Sequence, residues 1–481
     1  MTNNLITRVN MKIFFFIIMV TTIISAQTRF TDINQLVQSG KFKEANALID
    51  DKLKSSKLSS EEIFELQFEK ERLDRIKKDF NKSAEDVLKT VNKYYPDANE
   101  KDLEKWENDG SLEYKVIDEK KWYFSRAASN LFRINKEAKK QKELVDGFQK
   151  DPLDAFLEDY IPQVLDEAAN GQESLVKPVR FKLNYTVTVD ANAVPDGEII
   201  KCWLPFPREG HQRQVDVKLL AVNNNEYVIA SNDNPQRTLF MQRPAMKDQP
   251  TIFNMVLEVT NYNEANFILP ELIKPYNKES GLYINHTKEN VPHLVFTDKI
   301  KKLSNEIVGG EKNPYLISKK IFTWISNNIP WAGAREYSTI ENISDYCLTR
   351  GHGDCGIKTL LFMTLCRYNG IPAKWQSGWM LHPGEVNLHD WCEVYFEGYG
   401  WVPVDQSFGL VDSDLEDEKY FFLGSIDPYH LIVNDDYSST LFPAKIFPRS
   451  ETVDFQRGEL EWRGGNLYFD KWDYHMEVDY K

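Results

Sequence analysis

Cysteine is scarce in this chain, with five in 481 residues: Cys202, Cys347, Cys355, Cys366 and Cys392. Their spacing matches neither a disulfide framework nor a zinc site, so a cross-linked or metal-knit scaffold is excluded and most of the five read as buried small apolar side chains. Positive charge is also in deficit. Lys and Arg number 59 against 73 Asp and Glu, a net charge of -14, which argues against a nucleic-acid partner and gives no attraction to anionic membrane surfaces. Long apolar runs are absent apart from Ile13 to Ile24, which follows Lys12 and precedes Ser25, Ala26 and Gln27. That run is short for a bilayer span. It reads as a signal peptide over 1–26, with cleavage after Ala26 and Met11 as a second possible initiator. An uncleaved signal anchor is the alternative. The expectation is export to the periplasm or beyond, with no membrane span once the signal is removed.

The length suggests about three domains after the signal. Residues 27–170 are charged and helical in pattern: Ile63, Leu66, Phe68, Leu73, Ile76 and Phe80 recur at helical intervals, and Ser59 with Glu62 suits a capping box. A hairpin is expected around Leu112 to Phe124. Gly40, Phe42, Ala45, Leu48 and Ile49 resemble half of a tetratricopeptide-type helical pair, without a second copy. Past a linker at 171–178 the period changes from helical to two. Phe181, Leu183, Tyr185, Val187 and Val189 alternate, and strands follow at Glu198 to Leu204, Gln214 to Val222, Thr238 to Gln242 and Thr251 to Thr260. The stretch 178–300 therefore reads as a β-sandwich, 301–428 as an α+β core, and 429–481 as an aromatic β extension packing on the core or the sandwich. The acidic run from Asp412 to Glu418 resembles a calcium loop only superficially: no glycine holds the turn position, and Leu423 stands where a bidentate glutamate belongs.

The chemistry concentrates between Gly351 and Gly409. Ile357 to Tyr368 is rich in helix formers and Gly370, Ile371 and Pro372 stop it, so a helix is expected to start at Cys355 with Asp354 as its N-cap. A thiol there meets unpaired N–H groups and the positive end of the helix dipole, which favour the thiolate. Two aromatic and β-branched runs, Trp391 to Phe396 and Trp401 to Val404, read as a hairpin, and alternation puts His389, Trp391 and Glu393 on one face. A two-residue turn at Gly398 and Tyr399 would set Asp405 opposite Cys392, away from His389. A triad of Cys355, His389 and Asp405 therefore needs a wider loop or a bulge. In such a triad Cys355 attacks a carbonyl carbon, His389 pairs with the thiolate and protonates the leaving amine, and Asp405 orients the ring. The Cys355 N–H is the natural donor to the oxyanion. The loop from Pro330 to Arg350 runs into this region, and its Trp331, Arg335, Tyr337 and Asp345 are candidates for shaping the cleft.

Gly353, Asp354 and Cys355, then Gly370, Ile371 and Pro372, then His389, Trp391, Glu393 and Val394, then Gly400 to Asp405 resemble the transglutaminase-like core, in its multidomain secreted bacterial form. The resemblance covers roughly Asn313 to Asp427. It implies a papain-like thiol fold with Cys355 as nucleophile, His389 as base and Asp405 as third member, and an aromatic oxyanion donor about where Trp331 falls. Tyr337 and Trp391 are weaker oxyanion or cleft candidates. Trp203 to Pro207 resemble the β-domain that often precedes such a core. No metal or organic cofactor is implied. The function expected is a cysteine protease or amidase working through a thioacyl-enzyme on a protein, peptide or glycopeptide. The alternatives are a transglutaminase with an amine acceptor, an N-glycan-removing amidase, or a non-catalytic binding or scaffold protein with a degenerate site.

Overall fold

A computed structural model describes residues 30–481, so the signal sequence expected over 1–26 lies outside the described residues. The chain divides into two compact units, one running through Gly147 and one from Phe148.

The first unit is built from α1 (Thr31–Gln38), α2 (Phe42–Leu53), α3 (Ser60–Asp79), β1 (Phe80–Lys82), α4 (Ala84–Val91), α5 (Glu100–Asn108), β2 (Tyr114–Ile117), β3 (Lys120–Phe124), α6 (Ala127–Ile134) and α7 (Lys136–Asp146). Ser59 caps α3, its hydroxyl accepting from the Glu62 N–H while the Glu62 carboxylate receives the Ser59 N–H, so two otherwise orphaned donors are satisfied. Asp118 and Glu119 both adopt positive φ between β2 and β3, which suits the twist of a two-residue hairpin turn. Leu66, Leu73 and Ile76 of α3 reach a core shared with Phe42, Ile49, Val87 and Leu131.

The second unit opens with α8 (Pro152–Gly171). Its Leu157, Ile161, Val164 and Ala168 join the core beneath the candidate nucleophile helix, so the change of texture at 171–178 falls inside this unit. The strands β4 (Leu175–Val189), β5 (Ile199–Pro205), β6 (Gln214–Val222), β7 (Tyr227–Ile229), β8 (Thr238–Pro244) and β9 (Thr251–Glu264) follow. After them come α9 (Gly281–Thr287), α10 (Asp298–Val308), α11 (Pro314–Asn328), α12 (Ile343–Arg350), α13 (Cys355–Tyr368), β10 (Ala373–His382), β11 (Glu385–Phe396), β12 (Gly400–Val404), α14 (Glu416–Lys419), β13 (His430–Asn434), β14 (Glu459–Trp462), β15 (Gly465–Leu467) and β16 (Trp472–Tyr480).

These strands make three sheets, ordered β15-β14-β5-β8-β7, β16-β4-β9-β6 and β12-β11-β10-β13. The inward residues of the first two, among them Phe181, Leu183, Tyr185, Cys202, Leu204, Phe253 and Met255, pack with Trp379, Leu381, Leu431 and Val433 of the third. The strands after residue 430 are thus spread over all three sheets. The face of the third sheet that carries Trp375, Cys392, Val394 and Val404 packs on α13, while Trp391 on the other face meets Ile426 and Ile432. Among the described residues no helix is long and apolar enough to cross a membrane.

Candidate active site

Helix α13 begins at Cys355. Asp354 is its N-cap, the carboxylate accepting from the Ile357 N–H at 3.1 Å. The Tyr337 hydroxyl donates to the same Asp354 oxygen at 2.7 Å, which fixes the cap and brings a phenol beside the first turn. Gly356 leaves room for this approach: a Cβ there would run into the Tyr337 hydroxyl and the Asp390 carboxylate.

Strand β11 supplies the histidine. Cys392 pairs with Val404 and Phe396 with Gly400, so the hairpin loop is Glu397, Gly398 and Tyr399. This three-residue loop shifts the register by one and carries Asp405 to the level of Trp391, on the His389 face. The wider loop that a triad requires is therefore present. His389 Nε2 and Asp405 Oδ2 are 2.6 Å apart, and the second Asp405 oxygen accepts the N–H groups of Ser407 and Phe408. His389 Nδ1 makes no hydrogen bond among the described residues.

The thiol departs from expectation. Cys355 Sγ donates to Asp390 Oδ2 at 3.3 Å, and among the described residues it makes no hydrogen bond to His389. Alternation along β11 explains this: residue 389 points to the face away from α13 and residue 390 to the face that α13 covers, where Thr359 also bonds the Asp390 carbonyl. Burial pushes the Cys355 thiol well up, and the charges of Asp390, Asp354 and Asp454 add to it, although the residue keeps partial exposure. Burial and the three carboxyl groups together outweigh the helix dipole, whose effect on a single charge is modest.

Sequence reading missed these carboxyls. Burial, then the charge of Asp354, lifts Asp390 to about 8, while its bonds to Asp454 and Cys355 act the other way. Asp454 is itself raised, first by burial and then by Asp390. Two such groups side by side share a proton, since both cannot ionise. Gln456 Nε2 completes the cluster, donating to Asp390 Oδ1 at 2.7 Å and to the His389 carbonyl at 2.6 Å. The alternation that marks His389 could have marked Asp390 as its opposite. No local pattern ties residues 454 and 456 to the site.

The other candidates fall as follows. Trp331 is 39% exposed, and its strand segment pairs with Gly353 just before the nucleophile. Trp391 is fully buried, and its indole N–H donates to Gln376, so it is neither a cleft wall nor an available oxyanion donor. Arg335 lies over the Tyr346 ring, and Asp345 pairs with Lys299. Cys202, Cys347, Cys366 and Cys392 are free and buried. Two buried groups, His382 with Asp427 and His430, and His389 with Asp405 and His430, have the composition of metal sites. Their ring nitrogens and carboxylate oxygens already bond one another at 2.6 to 3.0 Å, and an ion would have to displace those bonds.

Comparison with known proteins places this geometry. Residues 301–406 match the model of the transglutaminase-like superfamily. An uncharacterized protein from Haemophilus influenzae is 25% identical over an alignment of 256 residues that covers 46% of this chain and 68% of that one. Two solved structures are more remote. A candidate cysteine protease from Cytophaga hutchinsonii aligns at TM-score 0.42 and 17% identity, over 64% of this chain and 92% of its own. A candidate protease from Parabacteroides distasonis aligns at TM-score 0.22 and 10% identity, over 56% and 66%. The stretch that holds Cys355, His389 and Asp405 is a transglutaminase-like domain.

Proposed function

We propose that the protein is an exported thiol-dependent amide hydrolase whose nucleophile is Cys355 and whose base is His389, oriented by Asp405. The observation that carries this reading is the His389–Asp405 bond at 2.6 Å, which ties up Nε2 and leaves Nδ1 as the unengaged ring nitrogen. A carboxylate bonded at Nε2 fixes the neutral tautomer whose Nδ1 lone pair accepts a proton. In this reading the Cys355 thiol turns about χ1 from Asp390 toward Nδ1 when substrate enters. Its proton passes to Nδ1 as sulfur adds to the carbonyl carbon. The C–N bond then breaks, and Nδ1–H protonates the departing amine. Water next adds to the thioester, His389 takes a proton from it, and collapse returns that proton to sulfur and releases a carboxylic acid, which loses its own proton to solvent. The N–H groups at the start of α13 are the nearest donors for the oxyanion.

The substrate class proposed is a protein or peptide amide. Of the eleven tryptophans only Trp331 is exposed, which weakens a glycan-binding cleft. Acyl transfer to an amine is the second reading, favoured by the Asp354 carboxylate and the charge that Asp390 and Asp454 retain near sulfur, which would attract a cationic acceptor as pH rises toward about 8. The test is intact mass after iodoacetamide near neutral pH, followed by peptide turnover with and without an added primary amine. Single labelling that disappears in Cys355→Ala and slows in His389→Ala supports the proposal. Slow labelling unaffected by either change sinks it in favour of a binding protein. Export is checked by the N-terminal sequence of the mature protein, which should begin at Gln27.

A further inference from the structure

The His389–Asp405 pair continues into the protein. Asp405 Oδ2, the oxygen that meets His389, also meets His430 Nε2 at 2.9 Å. His430 Nδ1 lies 3.0 Å from Asp427 Oδ1, and Asp427 Oδ2 lies 3.0 Å from His382 Nε2. Three imidazoles and two carboxylates thus alternate in one chain, drawn from β10, β11, the end of β12, the loop before β13 and β13 itself. Asp405, Asp427, His430 and His382 are fully buried.

An imidazole with a carboxylate at each nitrogen can satisfy both only by donating twice. A neutral ring would set a lone pair against an anionic oxygen. His389 and His382 each face one carboxylate and need only one proton. Two carboxylates and one imidazolium leave the chain with a single net negative charge, and protonation of His389 at Nδ1 would cancel it.

We propose that His430 is a positioning residue: a buried imidazolium clamped between Asp405 and Asp427, which holds the Asp405 carboxylate against His389 Nε2 and offsets part of its charge. The catalytic role of His389 in this statement rests on the function proposed above, but the charge state of the clamp does not. The surroundings are compatible with a resident cation. Burial opposes the charge on His430, yet Asp427 and the bonds to Asp405 and Asp427 outweigh it and raise the group to about 9. Asp405 and Asp427 are both held far below the usual carboxylate range, against the opposing effect of burial, by the imidazoles that face them. The other charged groups nearby are Arg213, whose Nη1 bonds the His430 carbonyl at 2.7 Å, with Glu264 and Glu393 facing that guanidinium, His211 against Glu393, and Lys358, which feels Asp405. The rings of Trp391, Phe408 and Phe422 close over His430.

A merely structural histidine could be neutral, and two measurements separate the cases. The first is the nitrogen NMR spectrum of 15N-histidine-labelled full-length protein at pH 7.5. The expected result is one ring with both nitrogens protonated, persisting to about pH 9, missing in His430→Gln and reduced to one proton in Asp427→Asn. A singly protonated His430 ring in wild type overturns the proposal, whether or not Cys355 proves reactive. The second is the pH profile of Cys355 alkylation. Removing the cation in His430→Gln leaves the Asp405 charge unopposed, makes proton loss from the neighbouring Cys355–His389 pair harder, and should move the alkylation midpoint to higher pH by about 1 unit or more, the size expected of a charge roughly 5 Å away at a high effective dielectric. His430→Arg, which keeps the cation, should return it to within a few tenths. Equal profiles for the two variants overturn the proposal. Absence of selective Cys355 labelling in wild type defeats the thiol reading instead, and leaves the clamp to the spectrum.

Discussion

Residues 389 and 390 are adjacent on β11 but look into opposite chemistries. On the His389 side each carboxylate faces imidazoles, and Asp405 and Asp427 are driven down despite complete burial. On the Asp390 side carboxyls face carboxyls and a thiol, and burial drives Asp390 and Cys355 up. The desolvation is similar on both sides, so the partner decides the sign. A nucleophile and its base that must meet are therefore supported by one strand whose two faces store opposite charge states, and the resting thiol is held on the acidic one.

The sharpest way to break the contrast is Asp405→Ala, which leaves His389 and His430 without their shared acceptor. Removing one partner from a buried charged network costs about 3–5 kcal/mol, to be read in urea melts, and Cys355 alkylation should fall with it. A second test uses pH. His430 is raised from an ordinary value near 6.5 to about 9, so the stability it contributes is fully present below about 6.5 and is lost as pH rises through about 9. The loss should reach about 3 kcal/mol, and the dependence should flatten in His430→Gln. Gly356→Ala should cost about 1–3 kcal/mol, because its methyl meets the Tyr337 hydroxyl and the Asp390 carboxylate. Asp390→Asn sharpens the comparison most gently. Asp390 retains a proton below about 8, so at pH 7 the amide replaces a near-neutral acid, and stability should change by under about 0.5 kcal/mol. At about pH 9, where Asp390 is ionised in wild type, loss of its negative charge should speed iodoacetamide labelling of Cys355 several-fold. The reverse result, a stable wild type and a slowed variant, would mean that Asp390 activates the thiol.

Where the determinants were local, the sequence carried them. The Asp354 cap and the stop at Gly370 fixed α13, the Ser59 and Glu62 box fixed the start of α3, and the register argument correctly demanded a loop longer than two residues before Asp405 could face His389. The choice of partner for sulfur was not local. It depends on which face of β11 the helix covers, and Asp454 and Gln456 arrive from a segment about 65 residues further on. His382 stands at no motif spacing from Asp427 and His430, because two separate segments of the chain carry them, 45 residues apart. The aromatic tail was legible as β structure, but its distribution among sheets was set by edges left open by β4, β5 and β10.

Those open edges bear on biosynthesis. β16 pairs with β4 from Trp472 opposite Val189 to Tyr480 opposite Phe181, so one edge of β4 waits for about 280 further residues to be made. At about 5–20 residues per second on the ribosome that is roughly 14–60 s. Gln456, which ties the His389 carbonyl to Asp390, also emerges after both of them. The nascent chain therefore carries its thiol and its imidazole before the strap that links their supports, and the site is assembled only once Gln456 has been made.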